Sequence, residues 1–538
     1  MIRILLITLA SIQSLQAVWL TYEEAVLNSP FKTASIGWTI PFPDEDAVLI
    51  RGKGDDWKKW FKVDLLGSDT TLFLDSLAFN WRGDDLFVEG LTISNSADKI
   101  LIRTDSKKIW RYSHISTYYV YDIAKKRLMP LTNNNKSLRN VKFSPDGQKI
   151  AYVRQDNNLY MYDFERGRER KLTTTGSETI SNGHFGWLYE EELTGYDGYR
   201  WSPNGESIAY WEENESMVPE FSMINELGQY PTIEKIRYPK AGETNPTLKI
   251  GIIRIKGAGR KWIEGASVDY DYLPWMEWVN EEKVAFIKMD RKQKNWDMYV
   301  ADRATGRSTK ILSESDPDGW LENHGQIRFL KDGKVVWISE NSGYKHIWMS
   351  KHSGSRSWSI TEGKWEVSSI IHIDENEDLI YFIGNKESVF EKRLYSVRYD
   401  GTEVKLVTKE AGSHIVRITG SKNYFIDTFS SLTQPRTILL KELRTGKVIK
   451  TLGETDLAQY VDYEWSSPKI VHFPSLDSTT ILDGMLILPP NYTKGKKYPV
   501  IIHGYGMPGT QIVWNRWGST WDQFLAQQGY IVFSMDTR

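Results

Sequence analysis

Short runs in which apolar and polar residues alternate at every second position, each closed by Gly, Asp or Asn, recur along most of this chain. Val141-Lys142-Phe143 leads through Ser144-Pro145-Asp146-Gly147 to Ile150-Ala151-Tyr152-Val153, then to Leu159-Tyr160-Met161-Tyr162. A period of two with turn residues between runs predicts half-buried antiparallel strands. Tyr199 to Trp211 repeats the first half of that unit, with Ser202-Pro203-Asn204-Gly205 in the turn, and further copies begin at Leu91, Glu277, Ile327, Ile371 and Ile415. Repeats of roughly 45–50 residues with several strands each predict the blades of a β-propeller over residues 40–460. The copies, with the irregular Phe42–Asp85 stretch, suggest seven or eight blades. The interval from Trp201 to Trp278 is the longest, so it must hold an insertion, for which 226–250 is the candidate.

After about Val461 the pattern changes. Leu482 to Leu488, Tyr498 to Ile502 and Tyr530 to Phe533 are apolar on both faces, and Trp521 to Gln528 between the last two reads as a helix. Wholly apolar strands in strand–helix–strand order predict the start of an α/β domain over 461–538. Ahead of the propeller, in segment 18–39, Leu20 to Phe31 predicts a short amphipathic helix with Thr21 as N-cap and Pro30 at its end. Arg3, the apolar run Ile4 to Ile12 and the small Ala17 predict a signal peptide over 1–17 and an exported protein, periplasmic or secreted. Leu15 is larger than a cleavage site prefers, so an uncleaved anchor is the alternative. No later run reaches the ~18 apolar residues that span a membrane.

Composition narrows the chemistry. With 68 Lys+Arg against 70 Asp+Glu, the near-zero net charge argues against a nucleic-acid partner. The absence of cysteine excludes disulfides and thiolate metal sites. The histidines show no H-E-x-x-H spacing and no glycine loop is built to cradle phosphate, so neither metal nor cofactor is predicted. The 22 Trp and 28 Tyr suit packed sheets or a peptide-binding surface.

Most of the candidate chemistry lies between Gly183 and Asn214. Glu190, Glu191 and Glu192 sit between Trp187 and Tyr189 on one side and Tyr196-Asp197-Gly198 on the other. The run interrupts a β pattern instead of extending a helical one, and it carries aromatics that a solvated acidic helix does not need. Adjacent carboxylates repel, so holding them together favours a cation between them, such as a substrate ammonium.

Trp187-Leu188-Tyr189-Glu190-Glu191-Glu192 followed by Trp201-Ser202-Pro203-Asn204-Gly205 resembles the dipeptidyl peptidase IV family of serine exopeptidases. Tyr238-Pro239-Lys240-Ala241-Gly242-Glu243-Thr244-Asn245-Pro246-Thr247 is similar to that family's next motif, and the resemblance runs from about Thr21 to Arg538. It implies a mainly β fold: an eight-bladed β-propeller followed by the beginning of an α/β-hydrolase domain, with the N-terminal segment packed on the latter. It implies release of N-terminal dipeptides with Pro or Ala second, and a homodimer formed through the 226–250 arm. Residue by residue, it implies that Glu191 and Glu192 grip the free N-terminus of the peptide and that Arg111 contacts a peptide carbonyl. Tyr505, in His503-Gly504-Tyr505-Gly506-Met507-Pro508-Gly509, would help stabilise the oxyanion, with Met507 where the family usually has a second glycine. The family's phenylalanine–arginine contact has no match in Asp318 to Phe329. Glu190 reads as structural, and His503 as a loop residue of the oxyanion region.

A hydrolase of that fold needs a serine on a G-x-S-x-G elbow, then an Asp and a His. No serine here lies between glycines at that spacing, and Ile531 to Asp536 matches the family's strand ahead of the elbow region. The expectation is that these 538 residues lack the triad and are inactive alone. A reading from a different class is a non-catalytic propeller that binds peptides or proteins. A prolyl oligopeptidase-type endopeptidase is weakened by the glutamate run, because an endopeptidase has no free amine to hold.

Overall fold

The turn between the first two strands of a repeat explains why the repeat folds. Gly147 takes φ +68° and donates its N–H to the Ser144 carbonyl at 2.8 Å, while the Asp146 carboxylate accepts from the Gln148 N–H at 3.1 Å. Gly205 (φ +66°) and Asn204 do the same in the next copy, at 2.8 Å to Ser202 and 3.0 Å from Glu206. A positive φ at the fourth position needs glycine, and the Asx side chain satisfies a turn donor that would otherwise be orphaned.

The computed structural model describes residues 18–538 apart from 258, 267–271, 323–324, 352–355 and 508. Segment 1–17, expected to be a signal peptide, and His324, His352 and Pro508 therefore lie outside the described residues. Among those described, eight antiparallel sheets of four or five strands follow one another from Thr39 to Glu454. Each sheet packs on the next through an apolar layer. Leu101, Tyr118 and Val120 meet Leu138, Ile150 and Tyr152, for example, and Val336, Ile338 and Met349 meet Val367, Ile380 and Phe382. The last sheet returns to the first: Ile426, Ile438 and Leu440 pack on Ala34, Val48 and Leu65. Thr419 and Ser421 both donate to Asp46, at 2.5 and 2.6 Å, across the same seam. The chain is an eight-bladed β-propeller whose ring is closed by side chains, not by a strand shared between its ends.

The fourth blade departs from the pattern. Ile180–Asn182 and Tyr199–Trp201 both pair with Ser207–Asn214, so the first strand of this blade is split in two. The 183–198 segment bulges out between the halves, and its neck is pinched shut where the Gly198 N–H reaches the Gly183 carbonyl at 3.1 Å. A Cβ at Gly198 would lie 2.4 Å from the Gly183 carbonyl carbon, which only glycine avoids.

The insertion is shorter and earlier than the 226–250 expected from sequence. It is a hairpin, Glu220–Asn225 with Thr232–Arg237, and Thr247–Arg254 already belongs to the blade. Its tip exposes Ile224, Leu227, Tyr230 and Ile233.

Beyond the propeller, Lys469–Pro474, Ile481–Ile487, Ile531–Met535 and Val500–Gly504 form one sheet in that order. Only the last pair is parallel, joined through the helix Thr520–Gln527. Val500–Gly504 is an edge strand with Ile502 64% exposed, in keeping with strands apolar on both faces. The N-terminal segment gives one helical turn, Glu23–Leu27, instead of a helix to Phe31. Thr21 and Glu24 exchange bonds at its start, and Phe31 leaves it to stack on Tyr460 at 4.9 Å, edge-on to Tyr463 and Trp465. The contact with the aromatic cluster outweighs continuation of a short helix. Leu20 N–H also reaches the Gln527 side chain at 2.6 Å, fastening the segment to the C-terminal helix.

One buried carboxyl makes stability depend on pH in an unusual direction. Glu314 is buried, accepts the Trp337 indole N–H at 2.7 Å, and is pushed up by burial to about 7 from 4.5. The folded chain thus keeps this proton where the unfolded chain has lost it. Stability is full below about 4.5 and falls as pH rises to about 7, by about 3 kcal/mol for this group. Glu314→Gln should flatten that part of the urea-midpoint profile. An unchanged profile in the variant would contradict the assignment.

Candidate functional site

The segment looped out of the fourth blade carries the helix Trp187–Leu193. The glutamate run interrupts the strand pattern of the blade, as expected, and it does so as a short helix. The aromatics explain why the helix is nonetheless not a solvated one. Phe185 stacks on Tyr189 at 5.2 Å, the Tyr189 hydroxyl accepts the Leu273 N–H at 3.0 Å, and Trp187 packs on Tyr238 at 4.2 Å. Thr194 ends the helix in the left-handed region, and the Gly195 N–H caps the Tyr189 carbonyl at 2.8 Å.

Successive helix positions turn by about 100°, so the three carboxylates point to different surroundings. Glu190 turns inward and is 1% exposed. Glu191 is half-buried and held by Arg111 through two bonds, Nε to Oε2 at 3.0 Å and Nη2 to Oε1 at 2.5 Å. Glu192 is exposed and has no partner among the described residues. The bidentate pair is the geometry a guanidinium forms best with a carboxylate. It holds the Glu191 carboxyl below the usual carboxylate range and the Arg111 guanidinium above its own.

Arg111 comes from the hairpin between strands Lys99–Lys108 and His114–Asp122 of the second blade, 80 residues from Glu191 in sequence. The Tyr505 phenol lies close enough to act on the same guanidinium electrostatically. Tyr505 is exposed just past the edge strand Val500–Gly504, and its hydroxyl donates to the Met507 sulfur at 3.2 Å. A thioether is a weak acceptor, so the hydroxyl is readily given up to a stronger one. Arg111, Glu191 and Tyr505, three of the four residues singled out from sequence, thus share one neighbourhood, with Glu192 adjoining Glu191. Tyr505 also lines a cavity of about 1230 Å³ between the eighth blade and the C-terminal sheet, together with His503 and Trp517. The glutamates are not on its wall.

Other residues here were not found from sequence. Tyr112 and Tyr196, both exposed, lie 5.7 Å apart beside Arg111. Behind the helix, Glu213 is fully buried and accepts the Gly186 N–H at 2.5 Å; burial, then the charge of Glu215, pushes its carboxyl well up. Glu215 is itself pushed up to about 7 by burial, with Arg237 opposing. A Cβ on Gly186 would fall 2.1 Å from the Glu215 carboxylate, so a larger residue there would have to displace that side chain. For Glu213 the signal was present: it lies two residues past Ile208-Ala209-Tyr210-Trp211 inside an apolar strand.

Glu410, His414 and Asp427 bring ligand-type atoms together in the eighth blade. The Lys441 ammonium lies 2.8 Å from Glu410 and 2.9 Å from Asp427, and so fills the position a metal ion would take.

A closed eight-bladed ring with one split blade, followed by a sheet with a parallel strand–helix–strand pair, defines a β-propeller joined to the beginning of an α/β domain. The chain belongs to the dipeptidyl peptidase IV family: residues 94–436 match the family model described as the dipeptidyl peptidase IV N-terminal region. It is 30% identical over 522 residues to a dipeptidyl peptidase 4 of Trichophyton equinum, covering 93% of this chain and 66% of that one. To a dipeptidyl peptidase 4 of Arthroderma otae it is 30% identical over 525 residues, covering 93% and 65%. The crystal structure of Porphyromonas gingivalis dipeptidyl peptidase 4 superposes with a TM-score of 0.88 at 23% identity, over 96% of this chain and 74% of that one, which establishes a shared fold. The chain spans between 56% and 69% of the length of the curated relatives it matches. Among the described residues, no helix is long and apolar enough to cross a membrane.

Proposed function

We propose that this chain supplies the substrate-positioning part of an exported serine exopeptidase that releases N-terminal dipeptides with Pro or Ala second. The observation that carries the reading is the Arg111–Glu191 pair standing beside the unpaired carboxylate of Glu192. A peptide's free ammonium is a triple donor that suits carboxylates on adjoining residues, and charge-assisted bonds of this kind are about twice as strong as neutral ones. Fixing the amine fixes the distance to the scissile bond, so the enzyme counts two residues from the end. Arg111 keeps Glu191 ionised and oriented, and its remaining N–H groups can reach a carbonyl of the bound peptide. Tyr505 would donate its hydroxyl to the oxyanion that forms at the scissile carbon. The nucleophile, its base and its acid are not among these residues. The exposed tip of the Glu220–Arg237 hairpin supports a homodimer through that arm, in place of the 226–250 range.

The reading is tested by fusing these residues to the C-terminal third of a relative and assaying an Ala-Pro-led peptide. Release of the dipeptide, with refusal of the N-acetylated substrate, is the expected result. Equal cleavage of both would restore the endopeptidase alternative.

A further inference from the structure

We propose that Glu190 is a positioning residue for the ammonium clamp: it holds the Arg111 hairpin against the glutamate helix by gripping its backbone. The proposal rests on the reading of Glu191 and Glu192 given above and adds a role for the glutamate that touches no substrate.

Glu190 Oε1 accepts the N–H of Tyr112 at 2.6 Å and the N–H of Ser113 at 2.8 Å, across 78 and 77 residues of sequence. These are the two residues that follow Arg111. The hairpin also closes on itself, Ile109 N–H to the Ser113 carbonyl at 2.9 Å. Two neighbouring glutamates therefore tie one hairpin to one helix in different ways. Glu190 fixes the main chain just past Arg111, and Glu191 receives the Arg111 side chain. An arginine on a free hairpin would have to lose backbone and side-chain freedom on each binding event; an arginine whose backbone is already clamped has lost part of it beforehand.

Glu190 Oε2 is buried without a hydrogen-bond partner among the described residues, so a positive charge nearby favours the group. Arg139, in the first strand of the third blade, exerts its positive field on Glu190 and donates from Nη1 to His184 Nδ1 at 3.0 Å. A guanidinium can only donate, so Nδ1 of His184 is the acceptor and the ring proton sits on Nε2. That proton is directed to Asn157 Oδ1 at 3.0 Å, and Asn157 Nδ2 donates to the Ser177 carbonyl at 2.7 Å. Burial and the Arg139 charge hold His184 down at about 3, so the ring is neutral and this tautomer persists through the physiological range. Arg139, His184 and Asn157 thus join the third and fourth blades through side chains.

The test uses the 538-residue chain and the tripeptide Ala-Pro-Ala, with calorimetric affinities for the free and N-acetylated forms and thermal unfolding of each variant. Glu190→Ala leaves two buried N–H groups without an acceptor, and Glu190→Asp is one methylene too short to reach them. Each should bind the free tripeptide about tenfold more weakly or worse. Glu190→Gln keeps an acceptor oxygen at the same place and should bind within about threefold of the parent. If the Ala variant does not fold, the Asp and Gln variants decide the matter. A Gln variant as poor as Ala or Asp, or an Asp variant that binds like the parent, would overturn the proposal. Glu191→Gln runs alongside. If it weakens binding while the Glu190 variants do not, the positioning role fails and the clamp stands. If the parent itself does not prefer the free amine, the clamp reading falls and takes this proposal with it.

Discussion

Glu191→Gln and Glu192→Gln will each weaken binding of a peptide with a free N-terminus by about 1.5–3 kcal/mol, roughly ten- to a hundredfold. Glutamine keeps the shape and an acceptor oxygen but loses the charge that a bound ammonium requires. The larger loss is expected at Glu191. Its replacement also releases the Arg111 guanidinium, which now makes two bonds to that carboxylate at 3.0 and 2.5 Å, and leaves an unbalanced cation beside the incoming ammonium. At Glu192, with no partner to release, only the direct contact is lost. Binding of the N-acetylated peptide should be unchanged at Glu192→Gln and should change less than that of the free peptide at Glu191→Gln. Calorimetry of parent and variants with both peptides checks this, and equal effects on the two forms would mean that the glutamates shape the fold and do not read the amine.

Binding should also follow the protonation of the peptide. A free α-amino group loses its proton near pH 7.7–8.0. Contact with carboxylates raises that value in the complex, so affinity is full below the free value and falls about tenfold per pH unit above it. On the acid side the sign is opposite. Arg111 holds the Glu191 carboxyl below the usual range, so this arm of the clamp stays charged as pH falls through the values where ordinary glutamates protonate. Affinity measured from pH 5 to 9.5 should therefore be flat and then drop. A profile that rises above pH 8 would contradict an ammonium clamp.

Much of this was legible in the chain before folding. The alternation around Val141 and Tyr199, with its Ser-Pro-Asp-Gly and Ser-Pro-Asn-Gly turns, specifies strand pairs because both faces and turn are set by residues a few positions apart. Arg111 and Glu191, which the structure pairs, were both singled out by the family resemblance. What could not be read depends on contacts far apart in sequence. The pairing of Arg111 with Glu191 and the grip of Glu190 on Tyr112 and Ser113 bridge some 80 residues and two blades. The helix under the glutamates was missed because seven residues carry too little periodicity, and its stability comes from Phe185, Tyr189 and Tyr238 packing around it. The hairpin's true limits, 220–237, were hidden because Thr247–Arg254 alternates like any blade strand and only its pairing with Ser207–Asn214 assigns it.

That the exposed end of the Trp187–Leu193 helix recognises a free peptide amine is the proposal on which the others depend. It is tested most directly by titrating the unmodified 538-residue chain with Ala-Pro-Ala and, separately, with N-acetyl-Ala-Pro-Ala at pH 7 in one calorimetric experiment. The free tripeptide is expected to bind at least about tenfold more tightly than the acetylated one, the loss expected when a charged hydrogen bond is removed. Equal affinity for the two would contradict it.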